Sequence, residues 1–261
     1  MTALPDNVPA RVLVMIPTYN ERDNVDWIVS RVRAAQPDAH VLVVDDASPD
    51  GTGELADALA AADPHVHVLH RAGKEGLGRA YIAAMGWGVA QGFDVLVELD
   101  ADGSHQPEQL SRLLEVLEQS PLSTRSGLSD KGRAADLVLG SRWVPGGAVE
   151  NWPWYRRAIS RGGSAYARVV LGLRVQDVTG GYRAFRASAL ESLDLDAVHS
   201  HGYAFQVDML ARAVRAGLTV VEVPITFVER ERGASKMSLG IVAEAMLRVT
   251  WWAFSRRLMG R

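Results

Sequence analysis

Two aspartates separated by one residue, Asp100 and Asp102, follow directly on the apolar run 95–99. Carboxylates are the ligands that Mg²⁺ and Mn²⁺ prefer, and one or two of them often suffice when substrate phosphates complete the coordination. The spacing alone is weak evidence, because Asp194 and Asp196 repeat it without a comparable apolar run before them. The first pair therefore predicts a divalent-cation site only if other elements bring ligand-binding groups to the same place.

The first half of the chain alternates short apolar runs with longer amphipathic ones. The runs 12–16, 41–44, 65–69 and 95–99 are predicted strands, and the segments after the first two have the pattern of helices. Alternating strands and helices predict an α/β fold with a mainly parallel sheet flanked by helices, in which ligands bind at the carboxyl ends of the strands. The aspartates 45, 46, 100 and 102 all fall at such ends.

The second half is less regular but contains further elements. Residues 107–119 and about 158–171 are predicted helices, and 137–142 is a predicted strand that ends in a polar turn. The polar stretch 120–134 predicts a mobile surface insertion. No internal repeat or linker divides the chain, so we expect one catalytic domain over 1–238, followed by a separate helix over 239–261.

Composition limits the function classes. The 261 residues are 48% hydrophobic and carry a net charge of −3, so the chain can bury a large core but is not a general polycation for nucleic acid. It contains no cysteine, which excludes disulfides, thiolate metal sites and cysteine nucleophiles. Residues 1–11 lack the apolar core of a signal peptide, so we expect the chain to remain in the cytoplasm.

Several segments together carry a family resemblance over about residues 11–240. They are 16–21 (IPTYNE), 44–52 (VDDASPDGT), 76–78 (GLG), 100–105 (DADGSH), 140–142 (GSR), 159–162 (ISRG), 177–183 (DVTGGYR), 202–206 (GYAFQ) and 223–230 with Ser235 and Lys236. With these segments the chain resembles the family-2 glycosyltransferases of the GT-A fold. The later segments are closer to one branch, the polyprenyl-phosphate (dolichol-phosphate) mannose synthases.

The resemblance implies a Rossmann-like nucleotide-binding half, an acceptor half and GDP-mannose as the donor. Within the donor site, it implies that Pro17, Tyr19 and Glu21 contact the nucleoside and ribose, and that Val44 and Asp46 frame the base. The remaining donor-binding residues implied by the resemblance are Asp100, Ala101, Asp102, Arg142, Arg230 and Lys236.

The resemblance also assigns the metal and acceptor sites. Asp102 and then Asp100 are the expected ligands of Mg²⁺ or Mn²⁺, with Ser104 or water completing the shell; the competing interpretation is that both aspartates cap the helix near residue 107. Arg142, Arg156 and Ser160 are expected to bind the phosphate of a polyprenyl monophosphate, since guanidinium groups match phosphate oxygens. The expected catalytic residues are Asp102, Arg142 and Arg156.

The acceptor chemistry removes the need for a protein base. A phosphomonoester with a second pKa near 6 is largely dianionic at neutral pH, so it can attack the anomeric carbon directly, with inversion from an α-linked donor to a β-linked product. Relatives that activate sugar hydroxyls place an acidic base on the helix that here carries Gln206 and Asp208. Asp208 is therefore either a base or a buried structural residue.

The C-terminal residues suggest contact with a membrane. The segment 239–258 is long enough to span a bilayer, but Glu244, Arg248, Arg256 and Arg257 interrupt it. It reads instead as an amphipathic helix that lies on an anionic surface, or as a helix packed on the core. We expect peripheral attachment to the cytoplasmic face of a membrane, and the resemblance adds a transmembrane protein as a candidate partner.

Two other functions compete with mannosyl transfer. One is glucosyl transfer from UDP-glucose to the same kind of lipid phosphate, because neither base nor sugar selectivity follows from these residues. The other is a non-catalytic module that binds lipid phosphate. The presence of Asp100, Asp102, Arg142, Arg230 and Lys236 argues against the second.

Overall fold

The computed structural model describes residues 10–118, 134–198, 200, 202–229 and 250. The elements of the first half are β1 Val12–Thr18, α1 Arg22–Ala35, β2 His40–Asp45, α2 Thr52–Ala62, β3 Val66–His70, α3 Leu77–Ala90, β4 Val95–Glu98, a 3-10 turn Pro107–Gln109 and α4 Leu110–Glu118. Those of the second half are β5 Leu137–Ser141, β6 Ala148–Glu150, α5 Trp154–Leu171, β7 Arg183–Arg186, α6 Ala187–Glu191, α7 Tyr203–Arg215, β8 Val220–Pro224 and β9 Thr226–Val228.

A seven-stranded sheet in the order β3-β2-β1-β4-β7-β5-β8 organises the molecule. All neighbouring strands pair in parallel except β7, which is antiparallel to both β4 and β5. The predicted α/β fold with a mainly parallel sheet is therefore confirmed. The carboxyl ends of β1, β2 and β4 lie at one edge, which brings the acidic segments together.

The residues 12–16 of β1 are continuously apolar because both faces of the sheet are covered there. Val14 and Ile16 of β1 belong to the core beside α1 and α4, while Leu13 and Met15 belong to the core beside α3 and α7. All four side chains are fully buried. Successive side chains of a strand point to opposite faces, so a strand between two helical layers has no polar face.

Among the elements of the second half that were not predicted from the sequence, two features bear on the site. The antiparallel strand β7 is one, and a separate parallel pair of β6 with β9 is the other. Both β6 and β9 are only three residues long, too short for a periodic pattern. This small sheet matters because the residues after β9 reach the candidate site described below.

The helix α5 begins earlier than its pattern predicts. It starts at Trp154 rather than near residue 158, because the carbonyl of Pro153 accepts from the amides of Arg156 and Arg157, at 3.1 and 3.3 Å. The helical prediction for 107–119 is confirmed as the 3-10 turn followed by α4.

Two predicted segments fall almost wholly outside the described residues. Only Ala134 of the insertion 120–134 and Thr250 of the C-terminal helix 239–261 are described. None of the helices in the described part of the chain has the length and apolar character needed to cross a membrane.

Three histidines gather at the amino end of β2 and β3. His40 Nδ1 lies 2.9 Å from His67 Nε2, and the His40 ring centroid is 4.6 Å from that of His65. Burial, the largest cause, lowers the pKa of His40 to about 4 together with the nearby charged or chargeable groups His65, His67, Arg11 and Arg33. The pKa of His67 is also lowered, chiefly by burial.

This cluster predicts a loss of stability in acid. Because the folded pKa of His40 lies below the unfolded value near 6.5, the unfolded chain binds more protons as the pH falls from about 6.5 to about 4. The urea midpoint should therefore drop between pH 7 and pH 4.5, and it should drop less in His40→Gln. The control is His70→Gln, since His70 lies on the surface beside Asp57 at 2.9 Å. An equal pH dependence in wild type and His40→Gln would contradict the assignment.

Candidate active site

A cleft of about 400 Å³ opens at the carboxyl edge of the sheet. Most of the site residues expected from the sequence line it: Pro17, Tyr19, Glu21, Asp46, Asp100, Ala101, Asp102, Ser104, Arg142, Arg156 and Ser160. These residues come from β1, β2, β4, β5 and α5 or from the loops that follow these strands. The fold thus brings the acidic and basic segments of the sequence to one cavity.

Three expected donor residues are not placed in the cleft. Val44 does not line it, because its side chain is fully buried in the core beside α3. Its side chain packs in the core, and the expected role of Val44 beside the base stays a prediction. Arg230 and Lys236 lie outside the described residues, so their roles stay predictions.

The loop after β4 presents the two aspartates. The Ser104 amide donates to Asp102 Oδ1 at 3.0 Å, and the Tyr81 hydroxyl donates to Asp100 Oδ1 at 3.2 Å. Gly103 makes the turn possible with φ +72°, and a Cβ there would lie 2.4 Å from the Trp27 ring. The aspartates thus follow β4 in a tight turn rather than acting as helix caps, since the 3-10 turn that begins at Pro107 has Gln106 at its N-cap position.

The groups in this loop suit a hard divalent cation. Asp100 and Asp102 both line the cleft, and the buried Ser104 Oγ has no hydrogen-bond partner. Within the described ranges no three His, Cys, Asp or Glu side chains form a metal cluster. Two carboxylates and one hydroxyl match Mg²⁺ or Mn²⁺ bound partly through substrate phosphates, and do not match a cation held by protein ligands alone.

His105 is a buried, neutral side chain close to Asp100 in the lining of the cleft. It is buried against Phe227 and Tyr182, and its Nδ1 lies 3.7 Å from Asp100 Oδ2. Burial lowers the pKa of His105, and the Arg142 charge acts in the same direction against the opposing Asp102. The ring therefore packs the floor of the cleft without adding positive charge.

At the nucleotide end, the two adjacent aspartates after β2 have different roles. Asp45 Oδ2 accepts from the Ser48 amide at 3.1 Å and its Oδ1 accepts from the Ser48 hydroxyl at 2.5 Å, so Asp45 holds the turn. Asp46 lines the cleft and accepts from Arg71 Nη1 at 2.5 Å. Burial raises the pKa of Asp46 and the Arg71 guanidinium opposes that rise.

At the opposite end, Arg142 is locked to a carboxylate that the sequence analysis gave no role. Its Nε and Nη2 each donate to Asp177 at 2.7 Å, and its backbone amide donates to the same carboxylate at 3.0 Å. Asp177 is fully buried; burial opposes its ionisation, but the Arg142 guanidinium holds its pKa below the usual value. Arg142 therefore lines the cleft with its orientation fixed and its charge matched.

Arg156 has a similar arrangement at the first turn of α5. Its Nη1 donates to the carboxylate of Glu229, the residue that follows β9. The Arg156 guanidinium carbon also lies 4.4 Å above the Trp152 ring. The expected phosphate-binding arginines are thus both charge-paired within the protein, which their sequence positions did not reveal.

The helix α7 resolves the two interpretations of Asp208. Asp208 accepts from the Ser200 hydroxyl at 3.0 Å and from Arg212 Nε at 3.1 Å, and it does not line the cleft. It is therefore a buried structural residue. Gln206, which lies two residues earlier on the same helix, lines the cleft, whereas Asp208 does not.

A buried polar layer lies beneath the aspartates. Gln206 Nε2 donates to Glu98 Oε2 at 2.9 Å, and the fully buried Arg183 donates to the carbonyls of Val178, Gly180 and Gln206. Burial raises the pKa of Glu98 to about 7 against the opposing charge of Arg183. Sequence reasoning missed this layer because Glu98 sits inside an apolar strand, where nothing marks its partner 108 residues away.

Comparisons with known proteins relate the chain to glycosyltransferases. The sequence profile of the family described as glycosyl transferase family 2 matches residues 13–194 of this chain. The chain is 58% identical to an undecaprenyl-phosphate mannosyltransferase of Micrococcus luteus, over 96% of this chain and 97% of the relative. It is 55% identical to a polyprenol monophosphomannose synthase of Mycolicibacterium smegmatis, over 95% of this chain and 89% of the relative.

Solved structures support the fold. A glucosyl-3-phosphoglycerate synthase of Mycobacterium tuberculosis, in complex with Mn²⁺, UDP-glucose and phosphoglyceric acid, superimposes with a TM-score of 0.63 at 19% identity. The match covers 94% of this chain and 80% of the synthase. At this identity the likeness establishes a shared GT-A-type architecture and nothing about the substrate.

Proposed function

The chain belongs to glycosyl transferase family 2, and from that premise we propose that it transfers mannose from GDP-mannose to a polyprenyl (dolichyl-type) monophosphate. The products are polyprenyl phosphate mannose and GDP. The two relatives at 55–58% identity, whose names specify mannosyl transfer to polyprenyl phosphate, support the sugar and the lipid. The nucleotide and the stereochemical course are part of our proposal.

One observation carries the proposal: a single cleft joins an acidic end to a basic one. Asp100 and Asp102 lie in the same cavity as Arg142, Arg156 and Ser160. An enzyme that transfers a sugar from a nucleoside diphosphate to a lipid phosphate has to hold two anions close together. It therefore needs a group that neutralises the diphosphate and donors that orient the phosphate, and the cleft offers both.

The aspartates would hold the cation of the donor. When bound there, Mg²⁺ or Mn²⁺ would neutralise the charge that grows on the leaving diphosphate. Asp102 and Asp100 supply carboxylate oxygens, and Ser104 supplies a buried hydroxyl without a partner. Pro17, Tyr19, Glu21 and Asp46 line the other side of the cleft, where we place the nucleoside.

The basic end orients the acceptor without deprotonating it. The acceptor dianion can attack the anomeric carbon unaided, so the reaction requires no base and inverts the configuration. This agrees with Asp208 being bound to Ser200 and Arg212 away from the cleft. The salt bridges to Asp177 and Glu229 fix the directions in which the two arginines present their N–H groups.

The outer face of α5 suits the membrane contact that a lipid substrate requires. Trp154, Tyr155 and Val169 are 80%, 54% and 83% exposed, and α5 contains four arginines and no acidic residue. Aromatic and basic side chains together favour the interface of an anionic bilayer. We therefore place the enzyme peripherally at the cytoplasmic face of a membrane, with the segment 239–261 and a transmembrane protein as candidates for further attachment.

The test is a parallel assay of two donors with one acceptor. Purified protein with Mg²⁺ or Mn²⁺ and a short polyprenyl phosphate should convert GDP-mannose at least tenfold faster than UDP-glucose. A preference for UDP-glucose would replace the mannosyl donor by the glucosyl one. Turnover of neither donor, with lipid phosphate still bound, would favour a non-catalytic binding module.

A further inference from the structure

Two tryptophans in the described part of the chain bury their indole N–H without a hydrogen-bond partner, Trp143 and Trp152. Only Trp152 lines the cleft, and its side chain is 7% exposed. A buried N–H donor without a partner is unfavourable, and where the residue lines a binding cleft a ligand can supply the missing acceptor. Because the indole nitrogen is a donor only, any ligand that satisfies it must present an acceptor.

The position of Trp152 in the cleft indicates which ligand that is. The guanidinium carbons of Arg156 and Arg142 lie 4.4 and 5.5 Å from the centre of the Trp152 ring. Arg156 Nε is likewise buried without a partner. The indole N–H of Trp152 and the Nε–H of Arg156 are thus two donors without partners on side chains in contact at the basic end of the cleft. Such a pair of donors indicates an oxyanion as the ligand.

Packing fixes the direction of the indole N–H. The Trp152 ring meets Phe227 edge to face, with centroids 5.2 Å apart, and meets Trp143 in the same manner at 6.5 Å. Cation–π contacts with Arg142 and Arg156 further restrict the orientation of the Trp152 ring. The donor is thus pre-oriented and loses little freedom when a ligand arrives.

We propose that Trp152 is a further phosphate-binding residue, whose indole Nε1–H donates a hydrogen bond to an oxygen of the acceptor phosphomonoester. The proposal rests on the proposed function, since it takes the lipid phosphate as the ligand of the basic end. Arg142 and Arg156 already share their charges with Asp177 and Glu229. A neutral donor therefore adds binding to the phosphate without adding a charge that the buried site would have to compensate.

The chain offers a matched pair of variants for the test. Trp152→Phe keeps an aromatic ring beneath the arginines and removes the N–H. Trp143→Phe removes an equally buried, unpartnered N–H from a ring that also lies 5.5 Å from Arg142, but outside the cleft lining. We expect Trp152→Phe to raise the KM for polyprenyl phosphate about tenfold, as for loss of a hydrogen bond to a charged group, with the KM for GDP-mannose within about twofold. Trp143→Phe should change neither by more than about twofold.

Binding measured without turnover separates this inference from the proposed function. Calorimetry with detergent-dispersed polyprenyl phosphate should show weaker binding by Trp152→Phe, and the uncharged polyprenol should not distinguish the variants. If no protein forms mannolipid but Trp152→Phe still loses affinity for the lipid phosphate, the enzyme proposal fails and the phosphate site stands. If mannolipid forms and both variants behave alike, or if both KM values of Trp152→Phe rise together, the role of Trp152 is overturned.

A measurement on the wild-type protein covers the case in which Trp152→Phe does not fold. With ¹⁵N-labelled tryptophan, the indole N–H resonance of Trp152, assigned by elimination with Phe variants of the other tryptophans, should move downfield when polyprenyl phosphate is added. That of Trp143 should stay in place. An unmoved Trp152 resonance at saturating lipid phosphate would overturn the proposal.

Discussion

Replacing Asp177 with alanine should lower the free energy of unfolding by about 3–5 kcal/mol, the range measured when one partner of a buried ion pair is removed. Asp177 is fully buried and Arg142 is 7% exposed. The substitution leaves the guanidinium without the two 2.7 Å hydrogen bonds that now compensate its burial. Equilibrium urea unfolding at pH 7 measures the loss.

A second ion pair supplies the control. Arg31 and Glu108 form a bridge at 2.6 Å, but the Glu108 side chain is 56% exposed. Glu108→Ala should cost no more than about 1 kcal/mol, because exposed pairs gain little over their hydrated states. Equal effects of the two substitutions would contradict the assignment of Asp177 as the buried anchor of Arg142.

The second large effect concerns turnover. Asp102→Asn should reduce kcat by about a thousandfold, which corresponds to about 4 kcal/mol of transition-state stabilisation. The amide keeps the size of the side chain but removes the negative charge that holds the divalent cation against the diphosphate. Steady-state rates at saturating donor and acceptor, measured across a range of Mg²⁺ concentrations, check the result.

The chain contains its own control for Asp102. Asp196→Asn alters the second Asp-x-Asp pair, which is exposed in a turn after α6. It should leave kcat within about twofold of wild type. An Asp102→Asn variant within tenfold of wild type would show that the pair after β4 does not hold the cation.

Much of the nucleotide half could be predicted from the sequence. The strands β1, β2 and β4 are short, continuously apolar runs that stop in polar residues, so their ends could be located and placed at one edge of a parallel sheet. The acidic residues at those ends, Asp46, Asp100 and Asp102, do line the cleft. Here local pattern and tertiary position are linked by the geometry of the sheet.

The acceptor half could not be predicted in the same way. Its key contacts join residues far apart in sequence: Arg142 with Asp177, 35 residues on, and Arg156 with Glu229, 73 residues on. The three-residue strands β6 and β9 and the antiparallel β7 position these partners, and none of them has a distinctive pattern. Family resemblance indicated which arginines matter, but not that each already has a carboxylate partner.

The positions of Val44 and Trp152 also depend on packing that no local sequence pattern reveals. The resemblance implies that Val44 lies beside the base, and the structure adds that its side chain packs in the core, as expected for an apolar residue inside a strand covered on both faces. Trp152 carries no sequence signal of a polar role, because only the packed structure shows that the residue lines the cleft and that its indole N–H is buried without a partner.

The most direct test of the central claim is the mass of the lipid product. Wild-type protein incubated with GDP-mannose, Mg²⁺ and a polyprenyl phosphate of defined length should yield one new lipid, heavier than the acceptor by one hexose residue, together with an equal amount of GDP. The lipid should be absent when EDTA replaces the cation. Release of free mannose with an unchanged lipid, or an unchanged donor at full acceptor binding, would contradict transfer to the lipid phosphate.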